Sequence, residues 1–331
     1  MVVSKILMSE SQFQNFNHLK IHSQYSICEG AVKIDDLKDF SKLNKIKSLG
    51  LCDTTNLCGA LEFAEKISKV GCQPIIGTQI NFKYGDTTGL LPLFALDEEG
   101  YKRIIKLSSF SFLDNDEISE PHLNFDELLE DTHGVAIFSG TVLGLFGQLF
   151  DKGKFSEILE LYTKLKTSFK DRFYLEIQRH NDQNEIGFEK FNLNKSLELE
   201  IPLIATNEVF YLNKDMHEAH DALICIGNKT YVNDKSRIKY SDQHYFKTNS
   251  EMSTLFADLP EALENNYNFP FRCNFRPLFS SPILPNISSE KGGNADDILR
   301  KDSLQGLKIK FDKIFKIKNN DLDNNKIFLE Y

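Results

Sequence analysis

No run of about 18 consecutive apolar residues occurs in this 331-residue chain, so no segment is long enough to cross a bilayer as a helix. The opening stretch, MVVSKILMSESQFQNFN, lacks both the apolar core and the small-residue cleavage site of a secretory signal, and the expected compartment is the cytosol. No CxxC pair occurs among the six cysteines, Cys28, Cys52, Cys58, Cys72, Cys225 and Cys273. Most lie in apolar stretches, so buried reduced thiols are expected in place of a zinc site or a disulfide framework. A basic excess is also missing: 39 Lys and Arg face 48 Asp and Glu, a net charge of −9. Surfaces that hold a nucleic-acid backbone normally carry the opposite balance, so this segment is not expected to grip DNA by itself. The basic and apolar alternation of KDSLQGLKIKFDKIFKIK is the pattern of a solvated helix face.

What is present is globular material, 41% hydrophobic and 26% charged, enough for one large domain and part of another. Short apolar runs alternate with amphipathic stretches from residue 19 to about 226. The strand candidates are 19–21, 48–52, 74–82, 90–96, 134–139, 172–178 and 201–207. Between them, IDDLKDFSKLNKIKSLG spaces Leu37, Phe40, Leu43 and Ile46 three apart and predicts a helix stopping at Gly50. ALEFAEKISKVG predicts a second, with Leu61, Ala64 and Ile67 on one face and Gly71 as its terminator. Seven strand-helix units imply parallel strands in a distorted β/α barrel, with an open doubly wound sheet as the alternative. Beyond residue 227 come a polar loop-like stretch, a helical segment in which Pro260 marks a break or a new start, and the Pro/Ser/Gly-rich linker FSSPILPNISSEKGGNA. A last helix is expected over DDILRKDSLQGLKIKFDKIF.

Functional groups of a barrel collect at the carboxyl ends of its strands. Those positions hold His22, Asp53, Gln79, Thr141, Glu176 to His180, Asn207 and Glu208, a set that is polar but short of metal ligands. HLKIHSQYS places two histidines four apart with Lys20 between them on one strand face; a protonated lysine has no lone pair and repels a cation. HEAH at 217–220 has its histidines three apart, unlike the zinc-protease spacing, and is expected to be helix-surface polarity. His180 is expected to be a hydrogen-bonded structural histidine. Asn56 and Gly59 are expected to shape a turn and a helix start.

Seven stretches, HLKIHSQYSICEGA, CDTTNLCGALEFAEK, GCQPIIGTQINF, FALDEEGYKRIIKLSS, RFYLEIQRH, IPLIATNEVFYLNKDMHEAHDALICIG and LFADLPEALENNYNFPFRCNF, resemble in order and spacing the amino-terminal region of bacterial DNA polymerase III alpha subunits. That region is a polymerase and histidinol phosphatase (PHP) domain. The resemblance implies α/β architecture, a distorted seven-stranded β/α barrel followed by a small α-rich start of the polymerase palm. It divides the chain into a PHP domain at 1–275, with its barrel core at about 16–226, and a linker with a truncated palm start at 276–331.

Metal-binding members of the family build a multinuclear site at the barrel mouth, and the resemblance assigns its positions here one by one. Lys20 replaces the first ligand of HLHxH and His22 keeps the second. Asp53 remains, Thr54 replaces a histidine, and Gln79 stands where a bridging glutamate would be. Leu90 and Thr141 take the places of a histidine and a cysteine, and Glu208 and Phe210 those of the two ligands in ATNDxH. Divalent cations need several donors with negative charge among them, so the site is expected to be vestigial and metal-free. Lys20 is then expected to pair with Asp53 or Glu208 in place of the lost cations.

The nucleotidyl-transfer aspartates of the family lie in a PDxDxD motif that this chain lacks; Asp321 and Asp323 in NNDLDNN do not supply it. The resemblance therefore implies the front portion of a longer DNA-directed DNA polymerase acting in replication, unable to polymerise alone. It implies Mg²⁺ for the full-length enzyme and no cofactor in this segment. Expected partners are a separate proofreading exonuclease subunit, the rest of the polymerase chain, and DNA through later domains, with no membrane. A stand-alone metal-dependent phosphoesterase is the competing reading, and a truncated product inactive by itself is a third.

Overall fold

The computed structural model describes residues 16–113, 120–282 and 294–315. The chain divides into two compact units, Met1–Leu278 and Phe279–Tyr331.

Nine strands form one sheet in the first unit: β1 (Lys20–Ile21), β2 (Ser48–Thr54), β3 (Gln73–Tyr84), β4 (Thr87–Ala95), β5 (Leu123–Asn124), β6 (Val135–Phe138), β7 (Phe173–Ile177), β8 (Leu203–Ala205) and β9 (Glu208–Val209). Their order is β8-β7-β6-β4-β3-β2-β1-β9, with β5 added beside β3. The two ends of that order, β8 and β9, are separated in sequence only by Thr206 and Asn207. One stretch of chain thus pairs with β7 on one side and with β1 on the other, and the sheet closes on itself. Counted once, this broken strand makes seven staves with β1, β2, β3, β4, β6 and β7, which is the distorted β/α barrel expected. The open doubly wound alternative fails because the two edges meet.

One stave departs from the expected parallel arrangement. β4 runs antiparallel to both β3 and β6. The Gly85–Asp86 link between β3 and β4 is too short for a crossover, and Gly85 takes the left-handed φ of 58° that the tight turn needs.

Helix α1 (Ile34–Leu43) ends at Leu43 with Asn44 as its cap, not at Gly50. Gly50 instead lies in the middle of β2, where an added Cβ would stand 2.2 Å from the Leu19 carbonyl oxygen. A bare Cα there lets the chain entering β1 cross β2 closely. Gly50→Ala is expected to cost roughly 3 kcal/mol of stability by forcing β1 off the sheet, measured by urea denaturation. An alanine variant as stable as the parent would show that β1 moves freely. α2 (Ala60–Lys69) stops as expected, with Gly71 left-handed at φ 78° just beyond it. Leu43, assigned by spacing to the apolar face of α1, is exposed because the helix has ended there.

Further round the barrel lie α3 (Glu98–Leu113), α4 (Phe125–Leu129), α5 (Leu145–Asp151), α6 (Phe155–Phe169), α7 (Glu185–Leu199) and α8 (His217–Gly227). α9 (Asn249–Leu255) follows, and Pro260 opens α10 (Pro260–Asn268), where its missing N–H costs nothing. In the second unit α11 (Ala295–Phe315) is exposed along most of its length, as the alternating basic pattern suggests. Asp321 and Asp323 lie outside the described residues.

The barrel interior is layered. Ile75, Phe94, Phe138, Tyr174 and Ile204 fill its lower part, and Phe269 plugs it from below, its ring 5.5 Å from Phe94, 5.2 Å from Phe138 and 5.9 Å from Tyr174. Side chains two residues further along a strand return to the same face. The residues above this apolar floor, including Lys20, Gln79, Glu176 and Thr206, are polar and buried.

Candidate functional site at the barrel centre

Lys20 occupies the middle of that polar layer. Its Nζ lies 3.0 Å from Glu208 Oε1 and 3.5 Å from Glu176 Oε1, with the side chains of Lys20 and Glu176 wholly buried. The angles are not those of a hydrogen bond, so the attraction is Coulombic. Burial pulls the lysine pKa down, but Glu176 and Glu208 together outweigh it and the ammonium is held charged beyond its ordinary range. Burial raises the Glu208 pKa in turn, and Lys20 and His22 overcome this, keeping the carboxylate well below the usual range. Glu176, Glu208 and Lys20 stand on β7, β9 and β1, three successive staves at the place where the barrel closes.

His22 Nε2 lies 3.1 Å from the same Glu208 oxygen, and the imidazole tilts against the Phe210 ring at 4.7 Å. Burial works against its protonation, yet the Glu208 hydrogen bond and the nearby Glu29 leave its pKa raised. Glu29 Oε2 is 3.9 Å from His22 Nδ1 and accepts the Thr54 hydroxyl, and Gln79 Nε2 donates to Thr54 Oγ1 at 3.1 Å. The Lys20 ammonium and the His22 imidazole therefore face three carboxylates.

Asp53 is not a partner of Lys20. It is one residue out of phase with Cys52 and Thr54, so its side chain leaves the barrel by the other face of β2. There it accepts the Ser23 N–H at 2.6 Å, the Ser23 hydroxyl at 2.8 Å and the Ser26 hydroxyl at 2.7 Å, and fixes the turn after β1.

Residues 18–180 match the family model of the PHP domain. The chain carries a PHP domain. The DNA polymerase III subunit alpha of Caulobacter vibrioides is 35% identical over 313 residues, which are 92% of this chain and 27% of that protein. The corresponding subunit of Rickettsia conorii is 37% identical over 315 residues, 94% of this chain and 26% of its own length. That of Vibrio cholerae is 32% identical over 305 residues, 91% and 26%. The chain thus spans about a quarter of the length of the curated relatives it matches.

At the mouth of the PHP domain a cavity of about 40 Å³ is lined by Glu29, Gln79, Leu90, Thr141, Glu208 and Phe210, with Leu143, Gly144 and Tyr240 completing it. That volume has room for a few water molecules. Leu90 and Phe210 face it with hydrocarbon. Of the nine positions assigned by resemblance, Gln79, Leu90, Thr141, Glu208 and Phe210 line this pocket, Lys20, His22 and Thr54 contact its lining residues, and Asp53 turns away.

Two contributors were not assigned a role by motif. Glu29 comes from the loop after β1, and its signal is its place in the same HLKIHSQYSICEGA stretch. Glu176 stood among the strand-end residues, and its signal is the even spacing from Tyr174, which turns both inward. His220, expected on a helix surface, is buried; its ring stacks on Phe210 at 5.2 Å and its Nε2 contacts the Glu29 carbonyl at 2.9 Å. The segment after α8 folds back over that helix face, as the Tyr240 ring against Phe210 shows. Asn56 does shape a turn, bonding the Tyr25 and Thr54 carbonyls, and Gly59 caps α2. Cys58 is exposed and Cys28 half-buried, so only the remaining four cysteines are the buried thiols expected.

Proposed function

We propose that this chain is the PHP portion of a DNA polymerase III alpha subunit, and that its barrel is a structural and docking module without phosphoesterase chemistry. The observation that carries this reading is the Lys20 ammonium between Glu176 and Glu208, a fixed cation where a metal-using barrel would place its ions. The residues do not fit a multinuclear cluster: Leu90, Phe210 and Thr141 add no charged donor, Gln79 adds no charge, and Asp53 is committed to Ser23 and Ser26. Nucleotidyl transfer, with its Mg²⁺, then belongs to the remainder of the polymerase chain. Proofreading belongs to a separate exonuclease subunit docked on this domain.

The test uses the full-length polymerase from the same source, with and without Mn²⁺ or Zn²⁺. The expected result is no hydrolysis of a 3′-mismatched primer or of p-nitrophenyl phosphate by the polymerase alone. Primer hydrolysis should appear when the exonuclease subunit is added and co-elutes with it. Hydrolysis by the polymerase alone that chelation abolishes would favour the phosphoesterase reading instead.

A further inference from the structure

Glu208 has a second environment behind its backbone. The His244 ring lies parallel to that of His180, with centroids 4.1 Å apart and planes 6° apart. His244 Nδ1 is 3.2 Å from the Glu208 carbonyl, which can only accept, and His244 Nε2 is 3.1 Å from Asp182 Oδ2, a carboxylate that can also only accept. A neutral imidazole has one N–H for these two acceptors. His180 repeats the mismatch. Its Nε2 is 3.1 Å from Asn207 Oδ1, whose orientation is fixed by the Lys247 ammonium at 3.0 Å and by the amide donating to the Tyr245 carbonyl at 2.9 Å. The Glu208 N–H also approaches His180 Nε2, at 3.2 Å. His180 Nδ1 is buried without a hydrogen-bond partner among the described residues, 3.5 Å from Glu185 Oε1. With the proton on Nε2, a lone pair there faces a carboxylate.

We infer that His180, Asp182 and His244 form a divalent transition-metal site, separate from the barrel centre, with Glu185 as an adjoining negative charge. Donor atoms of the three residues lie within 4.8 Å of one another, and the two stacked rings would turn out of their parallel planes to share one ion. Two imidazoles and a carboxylate are a donor set suited to Zn²⁺, and water would complete the coordination. A metal ion accepts the lone pairs of His180 Nδ1 and His244 Nε2, offsets Asp182 and Glu185, and leaves the remaining N–H of each ring for Asn207 Oδ1 and the Glu208 carbonyl.

Both carboxylates are partly exposed, which gives an ion a way in. The role is structural. Asp182 belongs to the β7–α7 loop, whose Asn181 and Asn184 are both left-handed, and Glu185 opens α7, while His244 lies 62 residues away from Asp182 beside the Tyr245–Tyr211 bridge. The ion would fasten the two segments that meet over the closing stave.

Equilibrium dialysis of the whole chain against Zn²⁺, followed by metal analysis, tests this. The expected result is one Zn²⁺ per chain, with affinity reduced tenfold or more in Asp182→Asn and in His244→Gln and unchanged in the barrel-centre variant His22→Gln. Zn²⁺ should raise the melting temperature of the parent and of His22→Gln but not of Asp182→Asn. No retained zinc in the parent overturns the site and leaves His180 protonated on Nδ1 toward Glu185. Zinc lost in His22→Gln but kept in Asp182→Asn overturns it too, and places the ion at the barrel centre. Should either variant fail to fold, Co²⁺ added to the parent supplies the decision: visible bands of a tetrahedral nitrogen and oxygen site support the proposal, and their absence overturns it.

Discussion

Lys20→Ala is expected to destabilise the barrel by about 3 to 5 kcal/mol near neutral pH, as read by urea denaturation. The loss does not measure what the ion pair contributes. It is the penalty for leaving Glu176 and Glu208 charged, buried and without their shared cation, both oxygens having faced the same ammonium at 3.5 and 3.0 Å. Two consequences separate this account from simple loss of packing. Glu208, no longer held down by the ammonium, takes up a proton more readily than before, so the difference between parent and variant should shrink as pH falls from 7 to 5. Replacing the whole set, Lys20→Met with Glu176→Gln and Glu208→Gln, should recover most of the stability, because neutral groups of similar volume need no counter-charge. A pH-independent loss that the triple substitution fails to repair would mean the lysine acts through its hydrocarbon stem.

The same geometry predicts that reversing one substitution does not rebuild a metal site. Lys20→His would recreate HLHIH, yet Leu90, Thr141, Phe210 and Gln79 would still line the pocket. The substitutions support one another, and a single one cannot be undone alone.

Much of the fold was legible because its signals are local. Gly71 after an amphipathic run and Pro260 at a helix start act through their own backbone, and both behave as expected. The reversal of β4 was hidden because Lys83, Tyr84, Thr87 and Thr88 are not apolar, so the strands appeared to end early and the two-residue turn looked like a longer loop. Gly50 was claimed both by a strand and as a helix stop; the close passage of Leu19, which decides the matter, is a long-range contact. At the site, the resemblance named Glu208 as one of two candidate partners of Lys20, and the pairing of β1 with β9 decides between them. Glu176 required knowing that the barrel closes through β8 and β9, which no single strand reveals. Asp53 went astray for the opposite reason: its neighbour in the motif, Thr54, lies on the pocket side, and a shift of one residue puts Asp53 on the far face.

Acid should unfold this domain well before its carboxylates titrate. Burial pushes the pKa of His18 down to about 3 and that of His220 down to about 4. Each is held neutral against a backbone carbonyl, His18 Nε2 at 2.8 Å from that of Lys247 and His220 Nε2 at 2.9 Å from that of Glu29. In the unfolded chain both regain the ordinary histidine value of about 6.5. Below that pH the unfolded state binds a proton at each of these positions that the fold refuses, and stability falls by about 1.4 kcal/mol per pH unit for each. Between pH 6.5 and 4.5 the two together should cost about 5 kcal/mol. His22 has the opposite sign. Its raised pKa adds stability that is complete below 6.5 and is lost as pH rises through its folded value, so it does not offset the acid limb. Glu208 is depressed, and its contribution is lost only as pH falls through its own lower value. Urea denaturation at pH 7, 5.5 and 4.5 measures the slope. His18→Gln should be less stable at pH 7, where the buried ring is lost, but should show a shallower slope. An unchanged slope in both His18→Gln and His220→Gln would place the acid sensitivity elsewhere.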